Sequence, residues 1–168
     1  MQGEYLKAYL DNNVVSAIAK DDTAAESDAL DRLLAAKDAG RVNLVTSELT
    51  LAEIKRYAGP ARKVVERTFR LLEKVPVVRW DELLGMHSYG DARTWITSPL
   101  IQNDPLYDSL LKLGLQQVDA QHVFVAAKHN CAVFLACDGE VLARANDIRQ
   151  LCGLAVQEPS DLVAGEGW

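Results

Sequence analysis

The heptapeptide Ala132–Asp138, AVFLACD, constrains this chain more than any other stretch. It is a continuous apolar run with no polar alternation, ending on a carboxylate. Such a run describes a strand covered on both faces, the signature of a parallel sheet between helical layers. Parallel strands cannot be joined by hairpins, so each needs a crossover, usually a helix. The rest of the chain therefore has to supply helices between its strands.

It does so in regular alternation. Residues 5–10 predict a strand and 12–20 a short helix. The capping-box pattern Thr23–Glu26 opens a second helix that Gly40 closes. Val42–Ser47 predicts a strand, and Ser47 can cap a third helix running to about Ala58. Gly59 and Pro60 break it, and Pro60 suits the first position of a fourth helix ending near Lys74. Val75–Trp80 is a short strand, Asp104-Pro105 starts a helix that Gly114 stops, and another helix covers Val118 to His129. After the apolar strand a helix reaches about Leu151, and Leu154–Gln157 reads as a last edge strand. Strands alternating with helices imply a three-layer α/β/α sandwich around a mostly parallel sheet. At 168 residues the expectation is one domain, 1–168, interrupted by a long connection at about 80–104.

Composition excludes several classes. Hydrophobic residues at 49% and charged residues at 25% match an ordinary globular domain, not a disordered one. No apolar run approaches the roughly 20 residues that span a bilayer. The N-terminal MQGEYLKAYL lacks a basic segment followed by an apolar one, so no signal peptide is expected. Cys131, Cys137 and Cys152 are odd in number and have no C-x-x-C spacing, which fits a reducing cytoplasm. A net charge of −6 argues against coating nucleic acid through bulk charge. It leaves room for an enzyme that grips a few phosphates through metal ions.

The positions of the acids then matter. Asp11 and Asp138 each end an apolar strand, and ligands of such sheets gather outside the carboxyl ends of the strands. If the two strands are neighbours, the carboxylates converge on one crevice. Asp11 has an equally ordinary use, capping the helix that opens at Asn12 or Asn13. Glu53 lies on a helix that starts directly after a strand, where an exposed glutamate is unremarkable. Asp119 opens another helix, where an acid complements the helix dipole.

Four segments together carry more than each alone. YLDNNVVSAI, TSELTLAEI, DAQHVFVAAKHN and VFLACDGEVL resemble, in order and approximate spacing, the four motifs of the PIN-domain nuclease family, spanning residues 5 to 142. The resemblance implies a compact, commonly dimeric sandwich, so a homodimer is expected. It also implies that Asp11, Glu53, Asp119 and Asp138 form a catalytic pocket that binds Mg²⁺ or Mn²⁺ and hydrolyses RNA. Many members are toxins paired with an antitoxin protein; others process RNA. The chemistry suits the residues. Mg²⁺ takes oxygen ligands and keeps several waters, so carboxylates distant in sequence must be brought together. Two such ions can activate water and clamp a scissile phosphate.

The chain departs from the family at Ala136, where members usually carry Ser or Thr two residues before the fourth acid. Ser16, Thr46 and Ser47 are the candidate substitutes for that hydroxyl. Glu140 is either an extra ligand or the favourable acid of a helix start, and the helix role is preferred. His122, one turn after Asp119, either orients a carboxylate or packs in the core. Lys63, Arg67, Arg70 and Lys74 line one face of the fourth helix, with Lys55, Arg56 and Arg62 nearby. That stripe can attract RNA backbone, face solvent or dock an acidic partner. In residues 80–104, Trp80, His87, Tyr89, Arg93 and Trp95 are types that stack on unpaired bases or pin an insertion to the core.

Three classes follow. The preferred one is a metal-dependent endoribonuclease. The alternative is a PIN-like module that binds RNA or protein and cleaves weakly, for which Ala136 speaks. A phosphatase of the haloacid-dehalogenase type wants a second Asp two residues after the first, and Asn13 occupies that place. Neither a glycine-rich phosphate loop nor a G-x-S-x-G elbow is present.

Overall fold

A computed structural model describes residues 5–14, 24–56, 62, 77–78 and 103–168. Five parallel strands lie in the order β3-β2-β1-β4-β5. They are β1 (Leu6–Leu10), β2 (Val42–Ser47), β3 (Val77–Val78), β4 (Val133–Leu135) and β5 (Ala155–Gln157). The described helices are α1 (Ala24–Asp38), α2 (Glu48–Arg56), α3 (Pro105–Lys112), α4 (Gln117–Lys128), α5 (Gly139–Ala143), α6 (Ala145–Cys152) and α7 (Pro159–Glu166). The expected α/β/α sandwich is present. No helix among the described residues is long and apolar enough to cross a membrane.

Side chains alternate across the sheet, and each face has its own core. Tyr9, Val45 and Phe134 point to one side, where Leu110, Val123, Phe124, Val141 and Ile148 cover them. Ala8, Leu10, Leu44, Val133 and Leu135 point to the other, against Leu30 and Leu33 of α1 and Leu162 and Val163 of α7. Helix α4 is buried from Ala120 through Ala126, as a helix packed on most of its circumference must be.

Strand β1 pairs β2 on one side and β4 on the other, with Ala8 level with both Leu44 and Val133. The chain thus winds outward from β1 in both directions, and the crevice between the carboxyl ends of β1 and β4 is the switch point where such folds place ligands. That position decides where the chemistry can be.

Four details differ from the sequence reading. Strand β4 stops at Leu135 although the apolar run continues, because Cys137 and Asp138 turn away to start α5. The single helix expected after Asp138 is two, α5 and α6, meeting at Arg144 (φ −100, ψ 7). Helix α7 was not foreseen; Pro159 in its first turn and Gly167, left-handed at φ 69, mark its ends. Glu26, read as part of a capping box, accepts from the Ser160 backbone N–H (3.1 Å) and hydroxyl, tying α1 to α7. Residues 15–23, 57–61, 63–76 and 79–102, which hold all but Arg62 of the expected Pro60–Lys74 helix, its stripe of Lys63, Arg67, Arg70 and Lys74, and most of the long connection, lie outside the described residues.

Candidate active site

Asp11 is the first residue beyond β1, and its N–H still reaches back to the Leu135 carbonyl at 3.2 Å, one rung past the β1–β4 ladder. The residue is only 3% exposed. Burial raises its carboxyl above the usual range, opposed by His122 and by the backbone N–H groups of Asn12 and Asn13. Capping and site residue, the two readings of Asp11, are therefore compatible: the same carboxylate meets the backbone of Asn12 and Asn13 and lies against His122.

Asp138 sits opposite, at the N-cap of α5, where it accepts from the N–H groups of Glu140 (2.8 Å) and Val141 (3.3 Å). Asn13 bridges the two loops, its Oδ1 accepting from the Cys137 N–H at 2.8 Å. Asp119 lies half-buried in the first turn of α4. Burial, then the charges of Asp11 and Asp138, push its carboxyl up to about 6. Glu53 turns inward because α2 buries Leu49 and Thr50, respectively four and three residues before it. The structure thus brings all four acids to one end of the sheet, with Asp119 beside Asp11 and Asp138, and Asp11 coupled to Glu53.

His122 stands between them, 1% exposed. Its Nδ1 lies 3.4 Å from Asp11 Oδ1. Its Nε2 lies 3.3 Å from Glu53 Oε2, close enough for charge pairing but angled away from an aligned hydrogen bond. Burial disfavours the imidazolium, but Asp11, Glu53 and Asp119 outweigh it and raise the His122 pKa. The Tyr9 hydroxyl is 2.7 Å from Nδ1 and 2.6 Å from Ser47 Oγ. Tyr9 stays protonated: burial first, and Asp11 next, drive its pKa far upward.

The sequence reading left His122 undecided and missed Tyr9. The signal was present, since alternation along β1 puts Tyr9 on the same face as Asp11. Of the hydroxyls considered as replacements at Ala136, Thr46 donates to the Leu10 carbonyl at 3.0 Å and Ser47 pairs with Tyr9, while Ser16 lies outside the described residues. Ala136 is fully buried. Glu140 keeps its helix-start position and accepts from Gln116 Nε2 at 3.2 Å. Among the described residues, no three His, Cys, Asp or Glu side chains are gathered as metal ligands. A cavity of about 880 Å³ at the opposite end of the sheet, lined in part by Lys7, Lys37, Asn43 and Asn130, has no acid among its lining residues.

No protein-family model and no curated protein matches the chain. Among solved structures it is similar to a chain of VapBC2 from Rickettsia felis, bound there to a DNA fragment from their promoter. The likeness covers 91% of this chain and 98% of that one, with a TM-score of 0.56 at 11% identity. At that identity it is a likeness of fold, and it agrees with the PIN-like sandwich expected from the four motifs.

Proposed function

We propose that this chain is a metal-dependent endoribonuclease that hydrolyses RNA phosphodiester bonds at the pocket of Asp11, Glu53, Asp119 and Asp138. The observation that carries the reading is the placement of the acids at the switch point: Asp11 and Glu53 flank His122 at 3.4 and 3.3 Å, and Asp119 and Asp138 stand at the starts of α4 and α5. Carboxylates crowded at a switch point repel one another, and a divalent cation is the partner that relieves them. The donor set fits Mg²⁺ or Mn²⁺ by chemistry, since all four groups are hard oxygen ligands. The support is that chemistry and the motif order, not an assembled ligand geometry.

When bound, such an ion supplies Lewis acidity to the phosphoryl group and acidifies water. The chain's own residues do the remainder. Asp138, fixed by two backbone N–H groups, presents its carboxylate from the start of α5. Asp11 is held at the mouth of β1 and Glu53 is directed inward from α2. Burial pushes the Cys137 thiol up to about 12, which disfavours it as a nucleophile beside the site. Hydrolysis by water, without a covalent protein intermediate, fits this set.

The toxin–antitoxin setting implied by the motifs is supported by the likeness to VapBC2, so an antitoxin protein is the proposed partner. The weak-cleavage binding module is the second reading, and Ala136, buried and without a hydroxyl, favours it. One experiment separates them: a diverse single-stranded RNA pool is incubated with the protein in Mn²⁺, Mg²⁺ or EDTA. Internal cleavage with metal, abolished by EDTA and by Asp11→Asn, is expected. Absence of any cleavage in Mn²⁺ transfers the assignment to the binding module.

A further inference from the structure

One imidazole touches two of the acids and shares a helix with a third. His122 follows Asp119 by three residues on α4, and its two ring nitrogens face Asp11 and Glu53 at 3.4 and 3.3 Å. The ring is itself held. Ser47 Oγ, Tyr9 OH and His122 Nδ1 form a buried chain with steps of 2.6 and 2.7 Å. The Tyr9 ring stacks on Phe134 with centroids 5.3 Å apart and planes 7° from parallel, so the hydroxyl has little freedom to move. A histidine serving only as core packing would be satisfied by Tyr9 and would have apolar neighbours at Nε2; this one has a carboxylate there.

We propose that His122, oriented by Tyr9 and Ser47, is a positioning residue that fixes the carboxylates of Asp11 and Glu53 relative to each other, so that the acidic pocket is shaped for a divalent cation before one binds. The inference rests on the nuclease reading above and deepens it. It also accounts for Ala136. The hydroxyl that the family carries near the last acid is absent at Ala136, and the side chain that meets Asp11 and Glu53 is His122 of α4, itself held by Tyr9 and Ser47. Partners that orient metal ligands without touching the metal commonly carry 10–100-fold of its affinity.

The test is calorimetric titration of the intact protein with Mn²⁺, which reads binding without relying on catalysis. Tyr9→Phe retains the stacked ring and removes only the hydroxyl, so it is expected to fold; near-ultraviolet circular dichroism checks this. Tyr9→Phe and His122→Leu should each weaken Mn²⁺ binding by about tenfold or more. His122→Gln, whose amide reaches the position of Nε2, should recover part of the loss. Because Tyr9 acts through His122, the double variant Tyr9→Phe/His122→Leu should bind no more weakly than His122→Leu alone. Additive losses would overturn the positioning role. So would wild-type affinity in Tyr9→Phe and His122→Leu while Asp11→Asn loses Mn²⁺, and the metal site would then stand without it. If Asp11→Asn itself binds Mn²⁺ as wild type does, the metal reading falls and the positioning role falls with it.

Discussion

Replacing Asp119 by Asn tests whether the acidic pocket is a strained feature kept for a ligand. Burial and the charges of Asp11 and Asp138 raise the Asp119 carboxyl from an ordinary 3.8 to about 6. Fully expressed, that gap is about 3 kcal/mol favouring the protonated form. The side chain is half-buried, and solvent screening together with the lost helix-dipole contact of a first-turn acid reduces the figure to about 1 kcal/mol. The sign follows from the raised folded-state value. Below pH 3.8 the group is protonated in both states and costs nothing. Between there and about 6 the unfolded chain ionises first, and stability drains away. Above that window the penalty is complete. In EDTA at pH 7.5, Asp119→Asn should therefore raise Tm by roughly 2–4 °C. The gain should shrink toward zero at about pH 4, where the wild-type carboxyl is already neutral. Saturating Mn²⁺ should invert the order, since a ligand at a hundred times its Kd stabilises the protein that binds it by about 2.7 kcal/mol. Differential scanning calorimetry with and without metal provides all three readings. A lower Tm for Asp119→Asn in EDTA at pH 7.5 would refute the crowding that supports the metal site.

Asp138→Asn should fold normally, because Asn caps a helix about as well as Asp. In an RNA-cleavage assay with Mn²⁺ its rate should nonetheless fall by about two orders of magnitude or more, as loss of a ligand charge predicts; undiminished cleavage would point to another site or a contaminant. Ala136→Ser should cleave RNA at least as fast as wild type, and since the position is fully buried its hydroxyl must find a partner in the pocket. A fall in Tm beyond about 5 °C would show that the hydroxyl is stranded in the apolar core. Glu26→Gln removes the charge that holds Ser160 and should destabilise the α1–α7 contact by about 1–2 kcal/mol in denaturant melts without altering Mn²⁺ affinity.

The parts of this molecule that could be read in advance are those fixed by local chemistry. The apolar run before Asp138 fixed a strand buried on both faces, and the Asp104-Pro105 start was confirmed by the Asp104 carboxylate accepting from the Leu106 N–H at 2.9 Å. Helix α7 was missed because its sequence, PSDLVAGE, carries few apolar residues and no long periodic stripe; it is held by tertiary contacts, Leu162 and Val163 in the core beside α1 and Ser160 on Glu26. The same limit applies to the site. Asp11 and Asp138 could be placed at strand ends because a strand end is a local property, and the sheet order then made them neighbours. Whether Glu53 faced inward depended on Leu49 and Thr50 packing beneath β1, and whether His122 was core or site depended on a tyrosine 113 residues away in sequence. Long-range pairing of that kind has no periodicity to betray it. What the fold adds to the four acids is therefore the polar frame around them: a buried Tyr9–His122 contact that no helix or strand pattern demands, on the one face of the sheet where Asp11 also points.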